Sequence, residues 1–325
     1  MRSRCLTKRL RLSPTCRTGR HVCPPPRRWP RTSAVTETVA PRSHRAPSWT
    51  LPAGAADCHA HVFGPYERFP VSHQMHYAAP LAPAAAHCGM LERVGLTHGV
   101  LVQPGAYGED SSAVIDALAQ SKGRLRGIAA ASERVPQAEL DAWHTAGVRG
   151  LRFNDMTVPG GTGPFPGSVG TDALAAMAPG MRASGWHAEV WAGIDRHVAN
   201  LPLYRASGVP IVLDHMAGLQ LARGLGDPSF RAILEALREG WLWIKLALCR
   251  CSQDFPDYAD ARRFHDALVA ANPERMIWGS DWPHLRLAER APDVGHLLDL
   301  FAEWVPDVGL RQCILVDNPR QLYRF

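Results

Sequence analysis

A chain of 325 residues, 46% hydrophobic and 20% charged, has the composition of a soluble globular enzyme and room for one large domain plus an extension. No apolar run reaches the roughly 20 residues needed to cross a bilayer, so no membrane partner is expected. The formal charge of +6 comes from residues 1–50, where twelve Lys or Arg face one acid, Glu37; the body carries −5, which argues against a nucleic-acid partner.

Residues 1–50 also hold seven prolines and no sustained apolar periodicity, and read as a disordered basic extension. The segment lacks the roughly 7–15-residue apolar stretch of a secretory signal. Its Arg-rich, acid-poor composition superficially resembles a transit peptide or, less closely, a twin-arginine signal. The expectation adopted is a coding start further downstream, because three lysines in the whole chain (Lys8, Lys122, Lys245) point to a GC-rich coding region. Cys5, Cys16 and Cys23 fall in this extension. The other five, Cys58, Cys88, Cys249, Cys251 and Cys313, form no CxxC pair, so a reducing cytoplasm is expected.

From residue 56 short β-branched runs alternate with amphipathic stretches. Strands are predicted at 56–63, 97–104, 125–132, 148–154, 186–192, 210–215, 242–247 and 276–281, and helices at 84–94, 111–121, 137–146, 171–184, 230–240 and 257–271. Glycine follows four helix-to-strand junctions (Gly95, Gly147, Gly185, Gly208), supplying the left-handed residue that ends a helix. Eight buried strands alternating with helices in about 260 residues predict an α/β protein, a closed (β/α)8 TIM barrel, over 51–325 as one domain. Neither GxGxxG nor GxxxxGK[ST] occurs, so a nucleotide-binding sheet has no support.

Polar residues gather at the predicted C-terminal strand ends. Strand 1 closes on Asp57-Cys58-His59-Ala60-His61, strand 6 on Asp214-His215, and strand 8 on Gly279-Ser280-Asp281-Trp282-Pro283-His284. Residues i and i+2 of a strand share a face, so His59 and His61 can both enter the barrel mouth. Alone, an HxH pair is more often structural. Joined by His215 and Asp281 at buried strand ends, where an unpaired charge is costly, the four point to one active site.

The segments DCHAHVFGP, LDHMAG and WGSDWPH resemble the strand 1, 6 and 8 signatures of the amidohydrolase superfamily, and their wording is similar to its lactonase branch. Further likeness lies in Arg149–Asn154 and in Leu315-Val316-Asp317-Asn318-Pro319. The resemblance implies attack of water on an ester or lactone carbonyl, with Asp281 as general base and His215, His59 and His61 polarising the carbonyl or holding a metal. His59, His61, His215 and Asp281 suit one Zn²⁺. A binuclear centre is not expected: strand 4 ends in Arg152-Phe153-Asn154 without a bridging residue, and His187 stands at the wrong end of strand 5. No metal is expected to be obligatory.

The same resemblance makes Arg152 and Arg250 candidates for a substrate carboxylate, which a guanidinium matches with two hydrogen bonds. An internal ion pair for Arg152 and simple exposure for Arg250 are the alternatives. Tyr77 and His284 are further substrate-binding candidates. Trp191 stands where a tyrosine is expected, and Gln103-Pro104-Gly105-Ala106-Tyr107 departs after strand 2, which leaves the substrate open. The expected activity is opening of a small carboxylated lactone. The alternatives are a lactone isomerase or decarboxylase on the same scaffold, or a small-molecule-binding barrel without catalysis.

Overall fold

The computed structural model describes residues 41–72, 77, 79–158 and 161–325. Eight parallel strands follow one another in sequence order: β1 (Ala56–Ala60), β2 (His98–Val102), β3 (Leu125–Ala129), β4 (Val148–Asn154), β5 (His187–Trp191), β6 (Ile211–Leu213), β7 (Leu242–Leu246) and β8 (Met276–Trp278). Eight helices alternate with them: α1 (Ala84–Val94), α2 (Ser112–Gln120), α3 (Gln137–Ala146), α4 (Leu174–Ser184), α5 (Ile194–Ser207), α6 (Pro228–Arg238), α7 (Arg262–Ala271) and α8 (Val294–Trp304). Asp281 N donates to His59 O (2.9 Å) and His61 N to Trp282 O (2.8 Å), closing the circle from beyond β8 to β1. The TIM barrel read from the alternation is the observed fold.

Period-two alternation sorts each strand between two cores. Leu101, Leu213 and Ile244 pack outward in the large core shared with the helices. Their neighbours Val100, Val212 and Trp243 belong to a smaller cluster with Cys58, Ile128, Ile277 and the C-terminal Tyr323. In β1 this alternation breaks: Asp57 pairs with Gly99 but Ala60 with Leu101, so β1 carries one extra residue. That bulge resets the strand, and His59 and His61 both reach the barrel mouth. Gly279 permits the crossing at the seam, since a Cβ there would lie 2.8 Å from the Cβ of His59.

The four predicted glycine caps are all left-handed, with φ between 63° and 111°. Helices α5 and α8 were not among the predicted elements. α5 carries Pro202 in its interior and polar residues around much of its surface, which blurs its periodicity. Strand β6 ends at Leu213 rather than at residue 215: His215, Met216, Ala217 and Gly218 all have φ between 49° and 59°. Such a left-handed run is costly for non-glycine residues and is held here by complete burial.

Residues 1–40 of the expected extension lie outside the described residues. Within the rest of it, residues 44–49 are tied to the barrel. His44 is buried and accepts from Val294 N (3.2 Å), Arg45 pairs with Asp299 (2.6 Å), and Trp49 Nε1 donates to Leu298 O (3.1 Å). Among the described residues no helix is long and apolar enough to cross a membrane.

Candidate active site

The C-terminal strand ends converge as the spacing predicts. Asp281 Oδ1 lies 3.7 Å from His59 Nε2, 3.7 Å from His61 Nε2 and 3.5 Å from His215 Nε2. All four side chains are almost inaccessible, Asp281 at 1% and His59 at 0% exposure, so their charges act in a weakly screened setting. Asp281 itself is left-handed (φ 62°), and the turn that follows aims its carboxylate back into the mouth. Asp57 secures the turn from below: its carboxylate accepts from Ser280 N (2.8 Å), Ser280 Oγ (2.5 Å) and His59 N (3.1 Å).

The second oxygen of Asp281 is engaged by Arg250, whose Nε donates to Oδ2, with Cys249 Sγ at 3.5 Å. Burial pushes the Asp281 carboxyl upward, but Arg250 and the histidines outweigh it and hold it well below the ordinary carboxylate range. His59 is the opposite case: burial, aided by the Lys245 charge, lowers its ring to about 3, so it is neutral. Burial also lowers His61, whose Nδ1 lies 2.7 Å from Val102 O.

Beneath the histidines is a charge network that the sequence reading did not assemble. Lys245 Nζ lies 2.7 Å from Glu189 Oε2 and 3.0 Å from Asp214 Oδ1, and Tyr323 Oη donates to Glu189 Oε1 (2.7 Å). The signal was a single charge inside each of two apolar strands, HAEVW and LWIKL. His187 belongs to this layer, 3.4 Å from Glu189, and not to the mouth.

Above the histidines opens a cavity whose lining includes His61, Arg152, Trp191, His215, Arg250 and Asp281. Arg152 is 8% exposed; its Nη1 donates to Gln103 O (2.9 Å), its Nη2 lies 3.7 Å from Asp214, and it stacks on Trp191 at 5.4 Å. Tyr77 also lines the cavity, its hydroxyl pushed up to about 12 by burial. Arg286, missed from sequence, lines the same wall over Phe165 and Trp191. His284 is buried beside the cavity, with Nε2 3.2 Å from Ser280 O and its ring 5.8 Å from that of His44, and lines an adjoining pocket with Tyr77 and Arg286.

Two clusters have metal-ligand spacing among the described residues: His59, His215 and Asp281, and His59, Glu189 and Asp214. In the second, the ammonium of Lys245 already fills the position of a cation. In the first, the nitrogen-to-oxygen separations of 3.5–3.7 Å approach the edges of about 3.4 Å expected around one Zn²⁺ with bonds of about 2.1 Å. The Nε2 atoms of His59 and His215 also have no hydrogen-bond partner. The mouth therefore has space and donors for one ion.

Comparison with known proteins agrees with this geometry. A 4-sulfomuconolactone hydrolase of Rhizobium radiobacter is 36% identical over 90% of this chain and 97% of its own. A 2-pyrone-4,6-dicarboxylate hydrolase of Comamonas testosteroni is 33% identical over 85% and 92%. A solved Agrobacterium tumefaciens structure superposes with a TM-score of 0.77 over 87% of this chain and 98% of its own, at 24% identity, and so reports the fold. The amidohydrolase family model matches residues 56–325, the whole barrel with every strand-end residue described above, and the chain belongs to the amidohydrolase family.

Proposed function

We propose that this protein is a hydrolase that opens a small carboxylated lactone by attack of an activated water on the ring carbonyl. The observation that carries the reading is the floor of the cavity, where one oxygen of a fully ionised carboxylate faces three imidazoles beneath a wall of arginines. Water held at Asp281 Oδ1 loses a proton to it as the water oxygen bonds to the carbonyl carbon. The ring C–O bond then breaks, and the leaving oxygen takes the proton back from Asp281. His59 and His215 flank the reacting oxygens and supply hydrogen bonds as negative charge develops, while His61 Nε2 faces the water as an acceptor.

The arginines supply the substrate class. Arg152 presents a guanidinium to the cavity that matches a carboxylate, and Tyr77 lines the same cavity. Arg250 is assigned first to Asp281, its exposed edge remaining available to substrate. His284 is assigned a supporting role behind the floor rather than substrate contact. The two curated relatives bear the names of hydrolases acting on cyclic esters with anionic groups, which supports the same class here. A divalent ion, Zn²⁺ by ligand type, would be held at the cavity floor by His215 and Asp281 and would polarise the carbonyl; no step above is routed through it. The five free cysteines among the described residues fit a reducing cytoplasm.

A screen of carboxylated lactones in ¹⁸O-water tests the reading. Ring opening with one ¹⁸O incorporated per turnover is expected. Turnover without incorporation identifies an isomerase or decarboxylase, and saturable binding without turnover identifies a binding protein.

A further inference from the structure

Lys245 is wholly buried: it donates to Glu189 Oε2 (2.7 Å), forms an ion pair with Asp214 Oδ1 (3.0 Å) and lies 2.9 Å from His59 Nδ1. Two carboxylates at this range keep the amine an ammonium, which donates only. The third partner must therefore accept. His59 Nδ1 then carries the lone pair of a neutral imidazole, and the ring proton resides on Nε2.

The competing arrangement puts the proton on Nδ1, directed at Asp214 Oδ1. That contact is 3.4 Å, longer than the 2.9 Å one to Lys245. It would also set an N–H against an ammonium 2.9 Å away. His61, two residues on, is wired in the reverse sense. Its Nδ1 lies 2.7 Å from the carbonyl of Val102, which can only accept, so the proton is on Nδ1 and the lone pair on Nε2.

We propose that Lys245 is a positioning residue that locks His59 in its Nε2–H form, making His59 a hydrogen-bond donor at the cavity floor and removing it from the ligand set of any bound metal. The two histidines of the HxH motif thus have opposite jobs. His61 Nε2 and Asp281 Oδ1 both accept, and lie 3.7 Å apart, placed to take the two hydrogens of one water. His59 Nε2–H donates to the oxygen that becomes negative during attack. Any ion at the mouth is left with His215 and Asp281 from that cluster. These catalytic roles rest on the hydrolase reading, whereas the tautomer and the ligand set do not.

The test is a long-range ¹H–¹⁵N correlation spectrum of the full chain labelled at histidine, with His59 assigned by its loss in His59→Gln. The expected result is an unprotonated Nδ1 and a protonated Nε2 for His59, with the reverse pattern for His61. Saturating Zn²⁺ should leave the His59 nitrogens in place. A protonated Nδ1 on His59, or an Nε2 that loses its proton on adding Zn²⁺, overturns the proposal. Lys245→Met should shift the His59 proton to Nδ1, facing Asp214. Should the variant fail to fold because Glu189 and Asp214 lose their counter-ion, the wild-type spectrum decides alone. Failure of the lactone screen with the expected spectrum would retire the hydrolase reading and leave the tautomer lock standing.

Discussion

Replacing Arg250 with methionine separates the basicity of Asp281 from its position. Arg250 is 14% exposed on its side chain and Asp281 1%, so the pair is poorly screened. At an effective dielectric of about 20 and a charge separation of about 4 Å, its Coulomb energy is about 4 kcal/mol. With Arg250 present, the carboxyl lies below its unfolded value near about 3.9, so its pairing stabilises the fold fully above that pH and is lost as pH falls through the folded value. In Arg250→Met burial loses its largest opponent, only the histidines still acting against it, and the folded pKa rises. The acid limb of kcat, below the ordinary carboxylate range in the wild type, should move to higher pH in the variant. The assay is kcat against pH for both proteins, with Arg250→Lys as the charge-conserving control, whose limb should stay near that of the wild type. A limb that moves by less than about one unit in Arg250→Met would refute the assignment of Arg250 as the counter-ion of Asp281.

Arg152→Met should raise KM for a carboxylated lactone by about tenfold or more and barely alter the methyl ester, since only the acid loses a charge-assisted pair; equal losses on both would make Arg152 structural. A chain beginning at Pro41 should melt like the full chain, whereas one beginning at Thr50 loses the contacts of His44, Arg45 and Trp49 and should melt lower, by about 2–4 °C for each kcal/mol removed. Elemental analysis of protein purified without chelator should give at most about one divalent ion per chain, because Lys245 fills the second cluster; two would contradict that arrangement.

The barrel was legible because its signal is repetitive: buried β-branched runs, amphipathic intervals and glycine after the helices all report the same unit. The quartet His59, His61, His215 and Asp281 was legible because polar residues at strand ends stand out against apolar strands. The β1 bulge was not, since an extra residue leaves no mark in composition; it shows only in the pairing of Asp57 and Ala60 with β2. Lys245, Glu189 and Asp214 were each visible as a charge in an apolar setting, but their meeting depends on barrel curvature bringing β5, β6 and β7 round to β1. The segment 44–49 read as part of the extension because its anchors, Asp293, Leu298 and Asp299, lie some 250 residues away.

The central claim is that Asp281 takes the proton from water, and kcat of Asp281→Asn tests it most directly. Asparagine keeps the shape and the contacts with Arg250 and the seam while removing the basic lone pair. On whichever lactone the wild type opens, kcat should fall by roughly a hundredfold or more with the melting temperature little changed. A variant that folds normally and keeps more than about a tenth of wild-type kcat would place proton abstraction elsewhere and contradict the mechanism.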